Sequence, residues 1–248
     1  MERPLRLALA LALLCAGPLH AQAPQDAANS NVVDSHTFIN GHPDLKWRRD
    51  AMAQYDAGRY EQALVLFQRA ARYADKPSQA MVSEMYQTGQ GVAADPVLAY
   101  VWIDLAAERG YPKLIARREA LWTGLDEAQR KSAVAQGGAL YREYGDPTAR
   151  PRLLGELRRV TAQSTGSRLG QPGPMQVYVR GAQSEYPVGS GEQFYDPRYW
   201  GGDGYFEWQA QQDLALLDGG VTVGGLQPVR LEKMTPRRRG ACLLTTSE

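Results

Sequence analysis

Seven aromatic side chains crowd the 15 residues from Phe194 to Trp208: Phe194, Tyr195, Tyr199, Trp200, Tyr205, Phe206 and Trp208. Trp and Tyr join a large apolar body to a polar handle, which suits them to gripping a sugar or a peptide. Tyr199, Trp200, Tyr205 and Trp208 are therefore candidates for a ligand-binding surface. The same rings could instead pack a small module against its neighbour, because a segment of roughly 60 residues is short of core. Carboxylates lie among them: Asp196, Asp203 and Glu207. Two of these held together could act as general acid and base, the chemistry of a cell-wall hydrolase, although such pairs arise often by chance. Other catalytic patterns are missing. Gly189-Ser190-Gly191 has the wrong spacing for a nucleophile turn, and Gly201-Gly202-Asp203-Gly204 has no Lys after it to hold a phosphate. His-Glu-x-x-His does not occur, and His36 and His42 lie in a polar lead-in. The sequence thus implies no catalytic residue, no cofactor and no metal, and a protein that is not an enzyme.

The whole chain limits the choices further. Its 248 residues suffice for one or two domains. The 28 Lys and Arg nearly cancel the 27 Asp and Glu, which excludes a global electrostatic grip on nucleic acid. Arg3 and Arg6 precede an uncharged stretch from Leu7 to Leu19, and small residues follow at Ala21 and Ala23. This is the layout of a secretory signal peptide, with cleavage expected after Ala21 because Pro24 would follow the alternative cut. The apolar stretch of 13 residues is short of the roughly 20 that span a bilayer, so no transmembrane anchor is expected after cleavage. The mature chain keeps 26 basic and 26 acidic residues and one cysteine, Cys242, so it has no internal disulfide. The expected location is periplasmic or secreted.

From Asp44 to about Gly145 the pattern is helical. Ala63, Phe67, Ala70 and Ala71 draw one apolar stripe, and Ala99, Trp102, Ile103, Ala106 and Ala107 draw another. The alanines of the first stripe shift by 36 positions onto those of the second, the mark of stacked helix pairs. Gly58, Gly89, Gly91 and Gly110 punctuate the helices, and Asp95-Pro96 is a cap followed by a helix-starting proline.

Tyr86, Gly89, Gly91, Val92, Asp95, Ala99, Trp102, Ala106, Ala107 and Gly110 stand in the order and spacing of a Sel1-like repeat, which this segment closely resembles. Ser78 and Ser83 depart from that pattern, so the first helix of the unit matches less well. Trp47, Ala51, Gly58, Tyr60, Ala63, Phe67 and Ala70 look like the related tetratricopeptide repeat. The resemblance covers residues 44–111 and implies antiparallel helix pairs whose matching residues are structural. Residues 112–122 look like the first helix of a degenerate third unit, and a helix opening at Leu125 caps the array as its apolar end requires.

The expected fold is mainly α: a short Sel1- and tetratricopeptide-like array with a small, aromatic-rich α+β C-terminal module. Its parts are a signal peptide (1–21), a flexible lead-in (22–43), the repeats with their capping helix (44–145), the module (146–232) and a disordered tail (233–248). Arg150 to Val160 is a basic helix candidate, and strands are expected at 175–180 and 221–230. Arrays of this kind bind polypeptide segments along the first helix of each pair. That places Arg48, Met52, Tyr55, Glu84 and Gln87 on a partner-binding face. The function this implies is an exported interaction adaptor or scaffold of the bacterial envelope. A glycan- or small-ligand-binding module built on the aromatic cluster is the alternative.

Overall fold

The computed structural model describes residues 32–164, 176–180 and 185–219. The expected signal peptide, the strand expected at 221–230, Cys242 and the expected tail lie outside these residues. The chain is mainly helical. Among the described residues no helix is long and apolar enough to cross a membrane.

Helix α1 (His36–Gly41) leads into three pairs. These are α2 (Pro43–Asp56) with α3 (Tyr60–Ala71), α4 (Lys76–Thr88) with α5 (Pro96–Ala106), and α6 (Pro112–Gly124) with α7 (Glu127–Tyr144). The sequence explains each boundary. The Asp75 carboxylate accepts from Ser78 N–H, and that of Asp95 accepts from Val97 and Leu98 N–H at 2.9 Å. Asp126 and Gln129 form a reciprocal capping box that opens α7. Gly89 and Gly110 close helices in the left-handed region.

The alanine stripes do what their spacing implies. Ala63, Phe67 and Ala71 of α3 meet Val82 and Met85 of α4 and Trp102 and Leu105 of α5 in one core. Ala99, Ala106 and Ala107 are buried, and Trp102 packs edge-on against Tyr144 at 4.7 Å, filling the gap that the small residues leave. Full burial of a side chain such as Phe67 stabilises the fold by about 1.5–3 kcal/mol.

Two expectations are corrected. The lead-in, where it is described, packs into the fold: Val32, Phe38 and His42 are completely buried, and Ser35 caps α1. Its polar composition hid three anchors that find partners far along the chain. The aromatic-rich segment, in turn, is not a free-standing α+β module. Helix α8 (Asp146–Ser164) follows the array and is longer than its basic stretch suggested. Strands β1 (Gln176–Arg180) and β2 (Glu185–Ser190) form an antiparallel hairpin, so the strand expected near 175 is present but pairs with its neighbour in sequence. Beyond them, among the described residues, come helices α9 (Gly191–Phe194), α10 (Pro197–Trp200) and α11 (Gly202–Gly219). Phe194, Tyr199, Trp200, Tyr205 and Phe206 share one core with Val32, Phe38, Leu153 and Leu157. The C-terminal helices are thus welded to the N-terminal segment and to α8.

Candidate functional site

The first helices of the first two pairs, α2 and α4, carry the predicted partner-binding residues, and the structure divides them into two sets. Tyr55, Glu84 and Gln87 lie together. The Tyr55 hydroxyl donates to Gln90 at 2.7 Å, and Arg117 of α6 reaches Glu84 at 3.2 Å and Gln87 at 3.4 Å. Burial, then the Glu84 charge, raises the Tyr55 phenol above its ordinary value. Met52 is exposed one turn before Tyr55, and Gln87 is exposed. These residues form an open polar strip across three helices, and Arg117 is a member that the sequence did not single out.

Arg48 belongs elsewhere. Its guanidinium is 2.6 Å from Asp75 and 3.4 Å from Asp213 of α11, a residue 165 positions away. Around it the N-terminal ends of the first helices converge on α11. The Tyr205 hydroxyl and the Gln209 amide both donate to Oδ2 of the buried Asp44. Gln209 also accepts from Arg109 at 2.8 Å, and Asp213 accepts from the Tyr111 hydroxyl at 3.3 Å. Arg109 grips Asp146 through two nitrogens, at 2.8 and 3.1 Å, and the fully buried Lys76 ammonium sits 2.8 Å from Glu108 and 3.1 Å from Asp146.

The electrostatics of this junction are uneven. Burial, reinforced by the Asp75 charge, pushes Asp44 up to about 6 and Asp213 up to about 7. Among the described residues Asp44 Oδ1 has no hydrogen-bond partner. Asp146 is held below its ordinary value although burial acts against this, because Arg109 and Lys76 donate to it. The junction's carboxylates Asp44, Asp75 and Asp213 are completely buried. Among the described residues no group of three or more His, Cys, Asp or Glu is placed to hold a metal ion.

The expected aromatic shelf is not a surface. Tyr199, Trp200 and Tyr205 are buried at 3, 6 and 0% exposure, and Trp208 is half-buried against the same core. The Trp200 indole donates to the Phe194 carbonyl, so even its polar handle is spent inside. His42 fills the middle of the cluster, stacked on Phe38 at 4.0 Å and beside Trp200 at 4.3 Å. Its Nδ1 lies 2.7 Å from the Phe38 carbonyl and its Nε2 2.8 Å from that of Tyr199. Burial pulls its pKa down to about 4 against the two carbonyls, which act to raise it; a neutral ring donates to only one of them. A histidine assigned to a flexible segment is therefore a central tie of the core. The nearby carboxylates do not form a converging pair: Asp196 is bound to Arg198, Asp203 lies 3.5 Å from Arg150, and Glu207 is exposed.

A separate concavity of about 360 Å³ opens between α5, α6 and α7, lined by Tyr100, Trp122, Val134, Gly137 and Tyr141 among others. It is largely apolar, and Val134 is 72% exposed.

Comparison with known proteins adds a likeness to a solved structure. A solved structure of c5321, a protective antigen present in uropathogenic Escherichia coli strains, is similar over 51% of this chain. It displays an SLR (Sel1-like repeat) fold. The sequences are 21% identical, the TM-score is 0.40, and the match spans 27% of the antigen's own chain. No protein-family model matches the chain, and no curated protein matches it.

Proposed function

We propose that this chain is a non-enzymatic protein-interaction scaffold that receives a polypeptide segment on the open strip of its first helices. One observation supports the reading above others. Tyr55, Glu84, Gln87 and Arg117 come from three successive first helices, form one connected polar surface and keep it accessible. Stacked helix pairs present such surfaces to peptides because side chains at corresponding positions repeat along the array. The strip alternates carboxylate, amide, phenol and guanidinium, so it would recognise a segment by hydrogen bonds and charge more than by apolar burial.

The site of action we propose is the bacterial envelope. Arg3, Arg6 and the apolar Leu7–Leu19 support export, with cleavage after Ala21. Fusing residues 1–31 to a reporter active only outside the cytoplasm tests this part, and an inactive fusion refutes it.

The scaffold reading is tested with a photo-crosslinking residue at Gln87 in the native host, and a control at Lys131 on the exposed outer side of α7. The expected result is one discrete adduct from position 87 that disappears when Arg117→Glu is added. No adduct at 87, or the same adduct from both positions, would overturn the reading.

A further inference from the structure

The concavity between α5, α6 and α7 has aromatic walls and a single charge. Tyr100, Trp122 and Tyr141 line it, and among the described residues Asp104 is the one charged member of its lining. Tyr100 and Trp122 lie 4.8 Å apart, and both pack against the small core of Val101, Leu125 and Ala133, which holds the rings in place. The space itself is kept open at a cost. Gly137 and Gly138 line it from the interior of α7, where glycine is less stable than alanine. Neither has positive φ, and a Cβ at either would make only ordinary contacts, the nearest at 3.9 and 3.7 Å. What the two glycines supply is room.

Asp104 gives the cleft its sign. Its carboxylate is more than half exposed, and the cation beside it is committed elsewhere: Arg118 lies 3.6 Å from Asp104 but 2.7 and 3.0 Å from Glu119. Burial raises the Asp104 carboxyl above its ordinary value, and the Glu108 and Glu119 charges add to the rise against Arg118. The phenols are raised too, that of Tyr100 by burial and then by Asp104, that of Tyr141 by its hydrogen bond with Glu108. Other nearby cations face partners of their own. Arg130 donates to the Trp122 carbonyl at 3.1 Å, and Lys131 is 2.7 Å from Glu127. Arg142 stands at the edge, 3.7 Å from the Gly138 Cβ position. Aromatic faces beside a carboxylate without a close cation attract an organic cation, because ring quadrupoles and carboxylate act together. The fold already makes such a contact here, with the Arg130 guanidinium 5.1 Å over the Trp122 ring. Trp122 and Val134, the latter 72% exposed, also line an adjoining shallow concavity with Glu127 and Lys131. The surface thus continues past the cleft, as a polypeptide segment requires and a lone small cation does not.

We propose that this cleft is a docking site for a polypeptide partner that inserts an arginine side chain among Tyr100, Trp122 and Tyr141 and against Asp104. Arginine suits it better than lysine, since a flat guanidinium stacks on rings and pairs with a carboxylate at once. The site is separate from the strip of Tyr55 and Gln87 and does not depend on the reading of that strip.

The test follows the tryptophan indole signals of the isotope-labelled chain by magnetic resonance, with Trp122→Phe identifying the signal of interest. The probes are the blocked pentapeptide Ala-Ala-Arg-Ala-Ala and its citrulline and norleucine counterparts, which keep the length and lose the charge. The arginine peptide should shift the Trp122 signal saturably and bind about 10-fold tighter than either counterpart. Asp104→Asn should remove most of that preference. Val134→Arg, at a position exposed enough to leave the fold intact, should block the arginine peptide. A norleucine peptide that binds as tightly as the arginine one, a preference that survives Asp104→Asn, or a Trp122 signal that no peptide moves would overturn the proposal. Free arginine amide binding as tightly as the peptide would overturn the polypeptide partner and leave a small-cation site.

Discussion

Gly91 stands against the backbone of Tyr60. A Cβ added at Gly91 would lie 2.4 Å from the Tyr60 carbonyl carbon and 2.5 Å from Glu61 N. The turn between α4 and α5 is thereby pressed onto the first residues of α3, the joint between one helix pair and the next. Gly91 also has φ of +72°. Gly91→Ala should therefore cost about 3 kcal/mol, from left-handed strain plus a clash with backbone that cannot move aside. Gly110 has a similar φ of +78° but nothing within 4 Å of its Cβ position, so Gly110→Ala should cost only about 1 kcal/mol. Urea denaturation of the two variants checks the difference, and equal losses would refute the close-approach argument.

Arg109 joins four parts of the molecule. It donates to Asp146 of α8, Gln209 of α11 and the Ala74 carbonyl, and itself follows α5. Arg109→Met keeps the volume and removes the charge, leaving Asp146 with Lys76 and Gln209 with one partner fewer. The expected loss is about 3 kcal/mol, the usual cost of breaking a buried pair on one side. Asp146→Asn in the same background should cost less than it does alone, because its partner is already gone. Additive losses in that double-mutant cycle would show that the two residues act independently.

Much of the array was legible because its rules are local. Caps, glycine turns and alanine stripes act within a few residues, so Asp95, Gly89, Trp102 and the Asp126 box mark helices before any tertiary contact is known. The aromatic cluster was legible as a density of rings but not as an interior. Its covering partners, Phe38 and His42, lie about 160 residues earlier in a stretch whose composition reads as linker. The polar strip of the first helices was half legible. Helical geometry placed Tyr55, Glu84 and Gln87 on one side, yet nothing local to Arg48 announces Asp213, and no periodicity reveals that α11 lies over it. Long-range polar pairing leaves no pattern in a single sequence.

Gly137 and Gly138 sit inside the 18-residue helix α7. Neither has a conformational reason to be glycine, since both are helical and neither has positive φ. A Cβ at Gly137 would be 3.9 Å from Val101 Cγ1, and one at Gly138 would be 3.7 Å from Arg142 Nη1, both ordinary contacts. Replacing each by alanine should stabilise the chain by about 0.5–1 kcal/mol. Thermal unfolding of Gly137→Ala and Gly138→Ala should show a rise of a few degrees for each. A fall would mean that the concavity beside Tyr100 and Trp122 needs the missing side chains for the packing of α5 against α7.

Stability should vary with pH in a direction that the buried groups dictate. Asp44 and Asp213 are raised from 3.8 to about 6 and 7, so the folded chain holds two protons that the unfolded chain has released. Their contribution is fully present below pH 3.8 and is lost as pH rises through 6 to 7. His42 acts oppositely. Lowered from 6.5 to about 4, it stays neutral in the fold while the unfolded ring takes up a proton, so its contribution is present above 6.5 and lost as pH falls to 4. Asp146, held below 3.8, adds stability that is lost only in stronger acid. Between pH 4.5 and 6 the folded state gains two protons from the aspartates and the unfolded state gains one at His42. The net is one proton bound by the fold, so stability should fall with rising pH by on the order of 1 kcal/mol per unit. Asp213→Asn removes one of the two, leaving uptake balanced and the profile nearly flat over the same interval. Urea midpoints at half-unit steps of pH measure both slopes, and a wild-type profile that rises from pH 4.5 to 6 would contradict the protonated state of the α11 junction.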